Sequence, residues 1–126
     1  MVNMKRVLVI DDDDAVRSAF RLALDDIDAD VVTMETGERG VQVASTEIVD
    51  LVFLDLKMPG MDGVDTLRRL RASGCRAPIF VVTGFAEEFM ARLRKAADQG
   101  LDFEVMRKPL ERNDIRSVVT AVLGGT

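Results

Sequence analysis

Leu51-Val52-Phe53-Leu54-Asp55, followed by Leu56-Lys57-Met58-Pro59-Gly60, is the stretch on which the fold turns. Four apolar residues run straight into one aspartate, and a Pro-Gly turn follows. A short apolar run bounded by turn signals reads as a strand buried on both faces. Asp55 then falls at the C-terminal end of that strand, where open α/β sheets place their ligands. Such an acid is a helix cap, a surface accident or the centre of a site. The flanking sequence decides between the three.

Upstream, Val7-Leu8-Val9-Ile10 is a second apolar run, and it too ends on acid, at Asp11-Asp12-Asp13-Asp14. Val16, Phe20, Leu24 and Ile27 then recur at helical spacing, with Arg17, Arg21 and Asp25 on the other side. Val31-Val32-Thr33-Met34 is a weaker strand, and Thr36-Gly37-Glu38 opens a short helix through about Ala44. Downstream, Val64, Leu67 and Leu70 mark a helix closed by Gly74. Ile79-Phe80-Val81-Val82 is a further buried strand ending at Thr83-Gly84. Phe89, Leu93 and Ala96 or Ala97 mark a helix ending near Gly100, and a poor strand from about Phe103 to Arg107 leads to Lys108-Pro109. Ile115, Val118, Val119 and Val122 share one face of a last helix.

Five strand and helix pairs in strict alternation demand a parallel sheet covered on both sides. The expected class is α/β, a flavodoxin-like doubly wound (βα)5 domain with a five-stranded sheet in the order 2-1-3-4-5. The apolar first, third and fourth runs belong in its middle, and the more polar second and fifth at its edges. One domain over 1–126 accounts for the chain, with no output domain in it.

Composition narrows the functions. The 126 residues are 48% hydrophobic and 31% charged, which is globular. One cysteine, Cys75, excludes an internal disulfide framework. Histidine is absent, which removes the usual zinc sites and His-dependent acid–base chemistry. A net charge of −5 argues against a direct nucleic-acid surface. No signal peptide or membrane span is visible, so the expected location is cytoplasmic.

In a parallel sheet all strand C-termini lie along one edge. Asp11 and Asp12, Asp55, Thr83 and Lys108 therefore converge on one mouth, and in the 2-1-3-4-5 order strands one and three are neighbours at the topological switch point. Two like charges about 4 Å apart repel by roughly 4 kcal/mol at an effective dielectric of about 20. Three such carboxylates need a cation. Oxygen ligands without His or Cys select Mg²⁺, Mn²⁺ or Ca²⁺, and a site that keeps several waters favours Mg²⁺.

These residues carry a resemblance across essentially the whole chain. Val-Leu-Val-Ile-Asp11-Asp12, Leu-Asp55-Leu-Lys-Met-Pro-Gly-Met-Asp-Gly63, Val-Val-Thr83-Gly84 and Lys108-Pro109, in that order, resemble the receiver domain of two-component response regulators. The resemblance implies that Asp55 accepts a phosphoryl group from a histidine kinase or phosphotransfer protein. It further implies that Asp12 ligates Mg²⁺ directly, that Asp11 holds it partly through water, and that the backbone carbonyl of Lys57 completes the protein ligands. Thr83 would hydrogen-bond the phosphoryl group, and Lys108, on a cis Lys-Pro peptide, would pair with its charge. Such a domain is no enzyme beyond its own phosphorylation and autodephosphorylation. It signals to a downstream protein docked on the fourth helix, fifth strand and fifth helix, and mixed charges there (Glu87, Glu88, Arg92, Arg94, Lys95, Arg112, Arg116) leave a homodimer open.

One position departs from the pattern. The family carries Tyr or Phe three residues before the lysine, and here that place holds Val105. Phe103 shares its strand face and is the candidate substitute. Gly84 leaves room for the donor. Lys57 and Phe85 flank the path of attacking water and are expected to set the lifetime of the phosphorylated state. Other polar groups have plainer readings: Asp13 or Asp14 caps the first helix, Asp62 is a turn or cap residue, Arg68, Arg69 and Arg71 form a solvated helix face, Cys75 is incidental, and the methionines fill the core. A dehalogenase-type phosphatase needs a second Asp where Lys57 stands, and an FMN carrier would set its phosphate against four aspartates. The remaining alternative is a receiver-like constitutive interaction module.

Overall fold

The computed structural model describes residues 4–84 and 86–124. Strands and helices alternate without exception: β1 (Lys5–Ile10), α1 (Asp14–Ala23), β2 (Ala29–Met34), α2 (Gly37–Thr46), β3 (Leu51–Asp55), α3 (Gly63–Ala72), β4 (Ile79–Thr83), α4 (Ala86–Asp98), β5 (Glu104–Arg107) and α5 (Arg112–Leu123). The strands form one sheet in the order β2-β1-β3-β4-β5, and every pairing is parallel. That is the order expected by analogy with known doubly wound flavodoxin-like domains; alternation itself required only that the strands be parallel.

Strand periodicity sorts the core into two layers. Val7 and Val9 face one side of the sheet with Phe53, Phe20 and Ala23 of α1, and Ile115 and Val119 of α5. Leu8 and Ile10 face the other side with Val64, Leu67 and Leu70 of α3, and Phe89, Leu93 and Ala96 of α4. Residues two apart on a strand share a face, so a run with no polar member has to be sandwiched. Phe53 anchors the first layer, its ring centroid 4.8 Å from that of Phe20 and 5.9 Å from that of Phe80. β2 and β5 are the edges, and all six residues of β2 are half-buried.

Local chemistry sets the helix starts. Asp13 accepts from the Ala15 amide, Thr36 from that of Arg39, and Asp62 from those of Val64 and Asp65, so α1, α2 and α3 each begin on a side-chain cap. Three ends differ from expectation. α1 stops at Ala23 rather than running through Ile27, with Leu24 as its C-cap. Asp25, Asp26 and Asp28 crowd the negative end of the helix dipole there, and Ile27 still packs on the core from the following turn. α2 runs on to Thr46, where the Ser45 and Thr46 hydroxyls donate to the Gln42 carbonyl. β5 begins at Glu104, which leaves Phe103 just before the strand.

The arginines of α3 are not merely solvated. Arg71 donates to the carbonyls of Cys75, Ala77 and Asp102, and Arg68 to the side chain of Gln99. They tie α3 to the loops that precede β4 and β5 and to the end of α4. Cys75 itself is buried in the apolar layer.

Candidate functional site

Four strand ends build the site. Asp11 follows β1 directly, Asp55 closes β3, Thr83 closes β4, and Lys108 follows β5. Asp11, Asp55 and Thr83 are buried, at 3%, 6% and 1% exposure, so the acids are held away from bulk water. Oxygens of Asp11, Asp12 and Asp55 all lie within 4.8 Å of one another. Lys108 Nζ stands between two of these carboxylates, 3.1 Å from Asp11 Oδ2 and 3.2 Å from Asp55 Oδ1.

Each group is fixed by its backbone. The Asp11 amide donates to the Met34 carbonyl at the β2 edge, and Asp11 Oδ1 accepts from the Asp13 amide at 2.9 Å. The Lys108 amide donates to the Thr83 carbonyl at 3.0 Å, which locks the lysine to the end of β4. The Lys108–Pro109 peptide is cis, as the resemblance implied. A methyl at Gly84 would touch Lys108 Cβ at 3.9 Å, an ordinary contact, so packing does not require glycine there.

Burial and the neighbouring Asp11 push the Asp55 carboxyl up to about 6, against the pull of Lys108. Burial would depress Lys108, but Asp11 and Asp55 outweigh it, and its ammonium is held above the usual lysine range. A buried acid that resists ionisation beside a specific charge partner, in a cleft, is a functional-site candidate. Lys108→Met is expected to raise the Asp55 midpoint further, since it removes the ammonium that draws it down; carboxyl chemical shifts followed through a metal-free pH titration would show this. An unchanged midpoint would mean that Lys108 does not act on Asp55.

Lys57 is largely exposed, with Nζ 3.9 Å from Glu88 Oε2 of α4. Phe85 lies outside the described residues. Thr83 is in register with Arg107, and Val81 with Val105. Val105 is therefore two residues from the Thr83 level and is 45% exposed. Phe103 is two residues further back, about 13 Å along the strand direction from the Thr83 level at about 3.3 Å per residue. It packs instead against the α3–α4 layer. Charges assigned to the α4–β5–α5 surface also divide. Arg92 reaches Asp62 and Asp65 at α3, Arg116 reaches the Ala23 carbonyl and Asp26 beyond α1, and Glu88 meets Lys57.

Two supporting contacts, made by Arg17 and Gly63, escaped the sequence reading. Arg17 donates to the Asp11 carbonyl at 2.8 Å and pairs with Asp14; its i, i+3 spacing from Asp14 was the available signal. Gly63 lies against the backbone of the acidic strand end: its amide donates to the Leu56 carbonyl at 2.8 Å, and a Cβ there would fall 2.3 Å from the Asp55 carbonyl oxygen.

An open five-stranded α/β sheet with a carboxylate trio and a lysine at its carboxyl edge defines a flavodoxin-like domain whose chemistry is that of anionic groups and hard cations. Sequence comparison then makes the assignment specific. Residues 7–120 match the family model of the response regulator receiver domain, and the chain belongs to that family. It is 32% identical over 119 residues to the alkaline phosphatase synthesis transcriptional regulatory protein PhoP of Bacillus subtilis, covering 94% of this chain and 48% of the relative. It is 33% identical over 118 residues to the cell cycle transcriptional regulator CtrA of Caulobacter vibrioides, covering 94% of this chain and 50% of the relative. The chain thus spans about half the length of these curated relatives.

Solved structures agree on the fold. A CheY-like receiver domain protein from Methanospirillum hungatei superposes with a TM-score of 0.85 at 24% identity, covering 97% of this chain and 95% of the other. The receiver domain of sensor histidine kinase PA1611 from Pseudomonas aeruginosa, which has a magnesium ion coordinated in its cleft, gives 0.80 at 20% identity, covering 98% and 100%.

Proposed function

We propose that this receiver accepts a phosphoryl group on Asp55 from a phosphohistidine of a histidine kinase or phosphotransfer protein, and relays that state to a partner protein. The observation that carries this reading is the Lys108 ammonium set between the buried carboxylates of Asp11 and Asp55. A lysine so placed holds Asp55 beside fixed positive charge and meets the oxygens of an incoming phosphoryl group. The nitrogen–phosphorus bond of the donor breaks, a bond from Asp55 oxygen to phosphorus forms, and the imidazole leaves. Such transfer needs mainly positioning and charge stabilisation. Thr83, closing β4 beside this mouth, is assigned the hydrogen bond to the transferred group, and Gly84 the open approach.

The donor set fits a hard divalent cation. Three carboxylates with oxygens within 4.8 Å, and neither His nor Cys among them, suit Mg²⁺, with Mn²⁺ able to replace it. Asp11, Asp12 and Asp55, with the Lys57 carbonyl, would hold the ion, which supplies charge neutralisation for the phosphoryl oxygens. The magnesium in the cleft of the Pseudomonas receiver supports this assignment.

The test is direct. Incubation with acetyl phosphate and Mg²⁺ is expected to add one phosphoryl mass to the intact protein, with no adduct in EDTA or in Asp55→Asn. An adduct of equal yield in Asp55→Asn would sink the reading. Val105, half exposed and not aromatic, favours one second reading, a receiver-like module that binds its partner constitutively. Equal partner affinity with and without the phosphoryl group would establish it. The downstream partner is assigned to the surface of α4, β5 and α5, and a second copy of the chain is one form such a partner can take. No described helix is long and apolar enough to cross a membrane.

A further inference from the structure

We propose that Arg92 is the tie through which the state of the acceptor reaches α4, by way of the N-terminal cap of α3 and not by way of β5. The inference rests on the phosphoacceptor reading of Asp55 and names the route by which that site reaches the rest of the fold.

The route is continuous and short. Gly63 is pressed against the acceptor: its amide holds the Leu56 carbonyl at 2.8 Å, and a Cβ on it would come within 2.3 Å of the Asp55 carbonyl oxygen. Any displacement of the Asp55–Leu56 backbone therefore moves the start of α3. The preceding residue, Asp62, caps that helix through Oδ1, accepting from the Val64 amide at 2.9 Å and the Asp65 amide at 3.1 Å. The same carboxylate takes the Arg92 guanidinium in a fork, Nη1 to Oδ2 at 2.7 Å and Nη2 to Oδ1 at 3.3 Å. Nη2 also reaches Asp65 Oδ1 at 3.1 Å. Two planar groups joined at two points resist rotation as well as separation, which a single lysine contact does not.

The Arg92 side chain is 45% exposed, so the tie rests on its forked geometry and on the more sheltered carboxylate that it grips. Asp62 is 23% exposed and is shared between a helix cap and a guanidinium. Burial would raise its carboxyl, yet Arg92 and the capped amides hold it below the ordinary aspartate range. Glu88, four residues before Arg92 and so on the same stripe of α4, meets Lys57 at 3.9 Å. Both contacts run from α4 to the loop that begins at the acceptor.

Among the described residues, Lys108 after β5 touches Asp55 directly, but the strand itself carries no aromatic ring that could move between two positions. Its four residues are Glu104, Val105, Met106 and Arg107, none aromatic, and Val105 is 45% exposed. Phe103 sits before the strand, packed toward the α3–α4 layer. A ligand moves an equilibrium only through contacts that differ between two states, and the Asp62–Arg92–Asp65 fork is a contact able to differ.

Amide hydrogen exchange of the full chain, with Mg²⁺ and with or without beryllofluoride as the phosphoryl mimic, tests the tie. Bound fluoride is read independently by ¹⁹F NMR. In the unaltered protein, exchange of α4 amides beyond residue 88 is expected to change by about fivefold or more on beryllofluoride binding, the lower end of ordinary site-to-site coupling. Arg92→Gln should bind beryllofluoride with affinity within about twofold and lose that α4 response. Asp62→Asn keeps a competent cap but loses the charge that grips Arg92, and should match it. A full α4 response in both variants overturns the proposal, as does bound fluoride with no α4 response in the unaltered protein. Absence of any bound fluoride overturns the phosphoacceptor reading itself, and the two failures are told apart by the NMR signal.

Discussion

Asp55→Asn is expected to be more stable than the unaltered protein in metal-free buffer at pH 7, by about 1–3 kcal/mol, while losing phosphoryl acceptance altogether. The reason lies in the carboxyl held up at about 6, against 3.8 for an unstrained aspartate. Between those two values the folded chain keeps a proton that the unfolded chain has released. Stability therefore falls as pH rises from about 4 to about 6, and stays low above that. Asparagine cannot ionise, so the variant lacks this slope. The attraction of Lys108 is already contained in the raised value and does not reverse the sign. Urea midpoints in EDTA at pH 4 and pH 7 check this: the two proteins should agree at pH 4 and separate at pH 7. Millimolar Mg²⁺ should then narrow or invert the gap, because the ion stabilises only the protein that binds it well. An asparagine variant less stable at pH 7 in EDTA would show that Asp55 is not a strained acid.

Gly63→Ala carries the second large effect. Its Cβ would meet the Asp55 carbonyl oxygen at 2.3 Å and the Leu56 Cα at 2.5 Å. Both obstacles are backbone at the end of a central strand, so neither can swing aside as a side chain could. Overpacking of this kind costs roughly 1–3 kcal/mol and sometimes more, and about 3 kcal/mol is expected here. On the proposed reading phosphoryl uptake should slow as well, because relief of the clash displaces Asp55. Gly84→Ala is the matched comparison. Its Cβ meets only Lys108 Cβ at 3.9 Å, and its stability should stay within about 0.5 kcal/mol. A denaturant series on the two variants tests the contrast, and equal costs would mean that Gly63 is not held as described.

The central strands were legible because burial on both faces leaves no room for a polar residue. β1, β3 and β4 announce themselves as apolar runs, and Asp55 is conspicuous as the first interruption. Asp11, Asp12 and Lys108 followed from one topological fact, that parallel strands end on one side. Edges and helix ends were harder. Ile27 keeps the helical spacing of α1 although the helix has ended, since apolar spacing reports burial and not backbone conformation. Arg92 and Arg116 read as solvent-facing charges on helix patterns, yet both are long enough to reach a neighbouring element. Sequence spacing fixes the direction of a Cβ and leaves the end of a long side chain undetermined. Gly63 was visible as the end of the motif that begins at Asp55, but its close approach to the Asp55 backbone depends on how the loop folds back over β3.

Asp11 and Lys108 stand 97 residues apart and touch at 3.1 Å. Nothing local supplies the pocket, because its members arrive from four different strand ends, Asp11 and Asp12 together after β1, and the lysine arrives last. A chain lacking β5, or one with β5 undocked, holds three carboxylates and no counter-charge. On the proposed acceptor reading, competence for phosphorylation would therefore be a seal on completed assembly, given only to molecules whose sheet has closed out to β5.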